Sequence, residues 1–208
     1  MHIPQTETKN IEVLSFEDAR KNSGREDYNR EKWIYIPDFY SEYRYILGTR
    51  GKKPLICIGI NPSTAEPDNL DNTLKSVERI ALSNGYDSFI MFNVYAQRAT
   101  NPDHMERELN EILHRENMKA FEYILSLSEG TPSVWAAWGT IIEKRKYLPE
   151  CVLDMVRIGE KYSAKWYTAG ARSKKSGHPH HPLYLKKDSA LDIFDAEEYI
   201  ITLKGVLK

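Results

Sequence analysis

Cysteine is scarce in this 208-residue sequence: Cys57 and Cys151 are its only two. Two thiols make neither a disulfide framework nor a cysteine-rich zinc site. Cys57 lies inside the apolar run LICIGI and reads as a small core residue. An excess of either charge is also missing, with 29 Lys and Arg against 30 Asp and Glu. A net charge of −1 exerts no global pull on nucleic acid or an anionic membrane, so any such contact needs a local patch. No apolar segment approaches the roughly 18–20 residues that span a bilayer. The opening residues, MHIPQTETKN, lack the apolar stretch of a secretory signal. A soluble, cytoplasmic protein is the expectation. Internal repeats and low-complexity linkers are absent too, and the length suits one domain with a real core.

What is present alternates. Residues 1–40 read as a polar N-terminal extension with one short helix near Phe16 to Lys21, and 41–208 as a single α/β/α domain. YRYILG, Tyr43 to Gly48, suits an edge strand. LICIGI (Leu55–Ile60), SFIMFNVY (Ser88–Tyr95), SVWAAWG (Ser133–Gly139) and KWYTAG (Lys165–Gly170) read as buried strands, the first three as continuous apolar runs. Between them the apolar spacing predicts helices over Leu70–Asn84, over Met105–Leu127 with an interruption near Asn117, and over Ile141–Glu160 with a kink at Pro149. Strand–helix alternation predicts a parallel sheet with helices on both faces, because parallel strands need crossovers. The expectation is a three-layer α/β/α sandwich with a four-stranded, mostly parallel central sheet. Ligands of such sheets bind beyond the carboxyl ends of the strands.

Each of those ends carries a motif. The first strand leaves through GINPST, where Pro62 stiffens the exit and Asn61 offers an amide donor and acceptor. Ser63 and Thr64 present hydroxyls there. The second ends in FNVYAQRATNP, with Asn93 in a strand position that a polar side chain occupies only with a partner or a ligand. Arg98 follows, suited to a phosphate, a carboxylate or Asp71. The third ends in WAAWGT. After the fourth, Lys165 to Lys187 contains Arg172, Lys174, Lys175 and Lys186 and no acidic residue. That charge surrounds His178, His180 and His181, which suits contact with a phosphate backbone. A metal set is not expected, since no Cys or Glu lies nearby, and no cofactor is implied.

In this order the motifs NPSTA, N-x-x-A-x-R-A-T-x-P, WG and GHPxHPLYL resemble a domain family of unknown function, numbered 1643, from about Tyr43 to Leu185. More distantly they resemble the uracil-DNA glycosylase superfamily. That resemblance implies its fold, with Asn61 positioning an attacking water and Asn93 reading the edge of a flipped base. It implies that a His-Pro loop stabilises the departing base. Two placements exist, His178-Pro179 and His181-Pro182, and the uninterrupted Pro182-Leu183-Tyr184 favours His181. Pro62 and Ser63 would line the base pocket, with Tyr95, Phe92 or Trp138 stacking on the base. Arg98, Arg172, Lys174, Lys175 and Lys186 would contact nucleic acid.

The sequence also departs from that pattern. Asn61 is not ionisable, and Glu66, Asp68 and Asp71 put negative charge beside the pocket. Three functions therefore stay open: a DNA glycosylase acting on a damaged or modified base, a non-catalytic nucleotide or nucleic-acid binder, and a hydrolase using Ser63 or a carboxylate with a histidine. A hydrogen bond from Ser63 to His178 or His181 would mark the third.

Overall fold

The structure is a computed structural model that describes residues 7–21, 24–174 and 176–206, with side chains as far as Leu203. Its core is a mixed sheet of seven strands. The four apolar runs form the centre: β3 (Pro54–Gly59), β4 (Ser88–Asn93), β5 (Ser133–Ala136) and β6 (Lys165–Ala169). They lie in the order β4-β3-β5-β6 and all pair in parallel.

The sheet exceeds the expected four strands because both outer parallel strands are covered. β1 (Trp33–Ile36) and β2 (Ile46–Thr49) extend it antiparallel beyond β4, and β7 (Leu191–Ile193) does so beyond β6. Bare edges at β4 and β6 would leave rows of unpaired backbone groups. β2 starts later than Tyr43 because the chain there already bonds elsewhere. Tyr43 bridges Gln97, and the Arg44 amide donates to Ala96 O at 2.9 Å.

Alternating side chains on β3 divide the core. Leu55 and Cys57 pack with Leu74, Val77, Ile80 and Ala81 of helix α2 (Asn72–Ser83). Ile56 and Ile58 face the opposite way, toward Phe121 and Ile124 of α3 (Glu111–Leu125) and Val152 and Met155 of α4 (Leu148–Lys161). Phe16 and Ala19 of α1 (Phe16–Lys21) and Ile200 of α5 (Ala196–Val206) join that second face. Helices thus cover both faces of the sheet. Each fully buried aliphatic side chain contributes roughly 1.5–3 kcal/mol relative to exposure. Both cysteines are free and buried.

Two helix expectations change. Helix α3 starts only at Glu111, where Asn110 caps it by accepting from the amides of Ile112 and Leu113. It also runs unbroken through Asn117, whose buried Nδ2 donates to Asn93 O at 3.0 Å. That asparagine satisfies a strand end rather than interrupting a helix. Pro149 does not kink a helix either: it lies in the first turn of α4, where its missing N–H leaves no bond unmade. A separate 3-10 turn, Gly139–Glu143, precedes it.

Candidate functional site

The ladder between β3 and β4 does not stop at the strand ends. Val94 N donates to Gly59 O, Tyr95 N to Ile60 O and Ala99 N to Pro62 O, each at 2.9 Å. Side chains close the same seam. Asn61 Nδ2 donates to Ala99 O at 2.6 Å and to Pro62 O at 3.1 Å, and the Arg98 guanidinium donates to Ser63 O. Two segments more than thirty residues apart thereby fold into one wall. Because Nδ2 faces two carbonyls, the Asn61 amide is oriented, and its Oδ1 is the acceptor left for a ligand or water.

A crevice of about 240 Å³ lies beside this wall at the carboxyl ends of β3 and β4. Asn61, Ser63, Asn93 and His181 all line it. Asn93 ends β4 directly opposite Gly59. It is only 1% exposed, yet neither Oδ1 nor Nδ2 has a hydrogen-bond partner among the described residues. Leaving such groups unpaired costs about 1–3 kcal/mol each, so this is an arrangement that a ligand would relieve. Gly59 packs tightly against this amide: a Cβ there would stand 3.2 Å from Asn93 Oδ1 and 2.5 Å from Met91 Cε, which already fills the space.

His181 enters the crevice from the loop after β6. Ser76 of α2 moors that loop by donating to Pro182 O at 2.8 Å. His181 Nδ1 accepts from Leu183 N, which leaves Nε2 as the proton-bearing nitrogen of the neutral ring. Burial lowers the imidazole pKa, and the nearby Asp71 carboxylate opposes that only partly. His181 is thus held as a neutral donor.

His178 is placed differently. It is buried, with Nε2 2.9 Å from Glu143 Oε1 and Nδ1 2.8 Å from Tyr199 Oη. Tyr199 Oη accepts from Trp138 Nε1 at 3.1 Å, so its own proton goes to His178 Nδ1. His178 is a strut between the 3-10 turn and α5, with neither ring nitrogen spare. Neither histidine hydrogen-bonds Ser63, whose Oγ faces Thr100 Oγ1 at 3.4 Å. The mark of a serine-based hydrolase is therefore missing among the described residues.

The aromatic residues expected to stack on a base lie in the core instead. Tyr95 is fully buried, donates to Glu106 at 2.7 Å and packs on Tyr147. Trp138 packs against Trp166, Phe194 and Tyr199, and Phe92 against Phe121. Each is a large apolar ring whose polar atom, where it has one, finds a partner inside. The crevice walls are Ile60, Pro62, Leu74, Met91 and Pro102.

Arg98 is likewise not a surface contact: it is buried and donates to Ser63 O and, at 2.8 Å, to Tyr35 Oη. Arg172, Lys174 and Lys186 are exposed, and Lys175 lies outside the described residues. Of the acidic neighbours, Glu66 pairs with Arg25 at 3.1 Å, while Asp68 accepts from Trp33 Nε1 at 3.0 Å and meets Lys32 at 3.4 Å. Asp71 caps α2 by accepting from Leu74 N and is the carboxylate that reaches the crevice. Among the described residues no three metal-ligating side chains converge.

Sequence reasoning missed Arg44, which also lines the crevice, and the role of Gly59. A lone arginine inside the aromatic–aliphatic run YRYIL was the available signal for the first.

The chain matches the model of the family described as protein of unknown function (DUF1643) over residues 44–183 and belongs to that family. The match spans Arg44 to Leu183, and so takes in every crevice residue named above. No curated protein and no solved structure matches the chain. No helix among the described residues is long and apolar enough to cross a membrane.

Proposed function

We propose that the crevice receives a nucleobase extruded from a nucleic-acid strand and that the protein hydrolyses the bond joining that base to its sugar. The observation that carries the reading is Asn93: a buried amide with a free donor and a free acceptor complements the adjacent donor and acceptor on a base edge. With no side chain at Gly59, a shift of the flexible Met91 methyl would be enough to admit a planar ligand to that amide. As the C1′–N bond breaks, the bonding pair leaves with the base, and His181 Nε2–H donates to the anionic base oxygen or nitrogen. A preorganised donor of this kind supplies roughly 2.7–4 kcal/mol. Water oriented by Asn61 Oδ1 then adds to C1′, and its proton passes to the departing base, giving free base and an abasic sugar. Exposed Arg172, Lys174 and Lys186 supply phosphate contacts around the site.

A second reading, a nucleotide or nucleic-acid binder without cleavage, is favoured by one feature. Asn61 is not ionisable, and of the two carboxylates that could assist it as a base, Asp68 is engaged by Trp33 and Lys32 and Asp71 caps α2. Base release from single- and double-stranded DNA carrying uracil, mismatched thymine, or oxidised, alkylated and hypermodified bases, followed by mass spectrometry, separates the two. Release that is lost in Asn61→Ala, Asn93→Ala and His181→Ala supports the glycosylase. Binding without release from any substrate supports the second reading.

A further inference from the structure

Two guanidinium groups, those of Arg44 and Arg98, are buried behind the Asn-Pro-Ser-Thr turn. Arg44 is 1% exposed and lines the crevice. It donates through Nη1 to Ala65 O at 2.8 Å, while its Nε is buried without a partner. Asp71 and Glu66 are the acids that act on Arg44, neither as a hydrogen-bonded partner. The nearest acids are otherwise engaged: Glu66 with Arg25, Asp71 as the cap of α2. Arg98 is close enough to repel it, and burial together with that repulsion lowers the Arg44 pKa to about 9. Taking a cation out of water without a bonded counter-ion is costly, and a folded chain retains such a group where a ligand completes it.

We infer that Arg44 is the anion receptor of the crevice and that the ligand seated against Asn93 carries a phosphoryl group whose oxygens bind this guanidinium. A phosphoryl oxyanion suits the place better than a single carboxylate, because Ser63 and Thr73 bring further hydroxyls to the same crevice. Asp71 at the rim sets a limit: it opposes an anion near the α2 end and so directs the charge toward Arg44. The inference rests on the crevice being a nucleotide site, and it adds that recognition extends from the base to an adjoining phosphate. That phosphate belongs either to a free mononucleotide or to an extruded unit of a strand.

Calorimetric titration of the full chain with matched nucleosides and nucleoside monophosphates tests this, with ribose 5-phosphate and a short single-stranded oligonucleotide as further arms. The expected result is a monophosphate binding at least tenfold more tightly than its nucleoside. Arg44→Met should erase that difference and Arg44→Lys restore part of it. Equal affinities in the wild type, or a difference that survives Arg44→Met, would overturn the inference. Should Arg44→Met fail to fold, salt decides on the wild type alone. A contact to a buried cation persists in about 0.5 M salt, where contacts to exposed lysines are screened. A phosphate increment that vanishes there would assign the anion to the surface and refute Arg44.

The inference and the base reading fail separately. If ribose 5-phosphate binds as well as the nucleotides, and Asn93→Leu alters neither, Arg44 stands and base recognition falls. If nucleosides bind with no gain from phosphate, only Arg44 falls. If nothing binds, both do. Tighter binding of the oligonucleotide than of the monophosphate identifies the strand as the source.

Discussion

Replacing Asn93 by leucine should make the protein more stable and disable the site. The side chain is enclosed, and both ends of its amide lack partners. Leucine has a similar shape and removes two buried polar groups, each costing about 1–3 kcal/mol when unpaired. The branched end adds some crowding against Met91, which the absence of a side chain at Gly59 offsets. A net gain of about 1–3 kcal/mol follows, since overpacking takes back part of the relief. For a domain of this size each kcal/mol moves Tm by about 2–4 °C, so a rise of roughly 2–12 °C is expected. Base affinity or release should drop about a hundredfold or more, because a site built on polar contacts rejects strongly once they are gone. Thermal melts followed by circular dichroism, beside the release assay, check both halves. Asn117→Leu is the control: it removes the donor to Asn93 O and Val94 O and should lower Tm. A fall in Tm for Asn93→Leu would mean that its amide is satisfied and structural, and the case for a base-reading residue would collapse.

Other substitutions separate strut from site. Gly59→Ala should change stability by no more than about 1 kcal/mol, since Met91 Cε can move aside, yet weaken ligand binding at least tenfold through the methyl beside Asn93 Oδ1; titration of the variant checks this. His178→Ala should cost about 2–3 kcal/mol by leaving the buried Tyr199 hydroxyl proton without its acceptor and opening a cavity, whereas His181→Ala should leave the melt nearly unchanged and suppress base release. Asp71→Ala removes the cap of α2 and should lower stability by about 1 kcal/mol in a denaturant titration. The pH dependence has a definite sign. The folded state holds the His181 pKa below its ordinary 6.5, so at pH below 6.5 the unfolded chain binds more protons. The stability from keeping this ring neutral is complete above pH 6.5 and declines as pH falls through the window beneath it. His181→Gln should flatten that part of the curve.

The parallel centre of the sheet was legible because β3, β4 and β5 are buried on both faces and carry continuous apolar runs. The outer strands were not. β7 is three residues long, and β2 begins after two residues whose backbone is spent on the β4 exit. Asn61, Asn93 and His181 could be placed together from the sequence because each follows a strand in the same parallel set. The roles of Tyr95, Trp138 and Arg98 could not. Whether a residue just past a strand faces the crevice or the core depends on one side-chain alternation and on the helices behind it. Trp138 and Tyr95 turn toward the face that carries α3, α4 and α5. Arg98 went inward because the turn at Ser63 needed a donor.

The seam joining Asn61–Ser63 to Arg98–Thr100 bears on how the crevice would meet a ligand in time. The amides of Val94, Tyr95 and Ala99 continue a ladder that starts deep in the sheet. Their hydrogens should exchange with solvent as slowly as those of the strands themselves, on the schedule of global opening rather than of loop motion. The Asn61–Ser63 wall of the crevice is then already assembled in essentially every copy of the protein. Asn93 and Arg44 behind it are each 1% exposed, so a ligand that reached them would still have to uncover them, and only the wall comes preassembled.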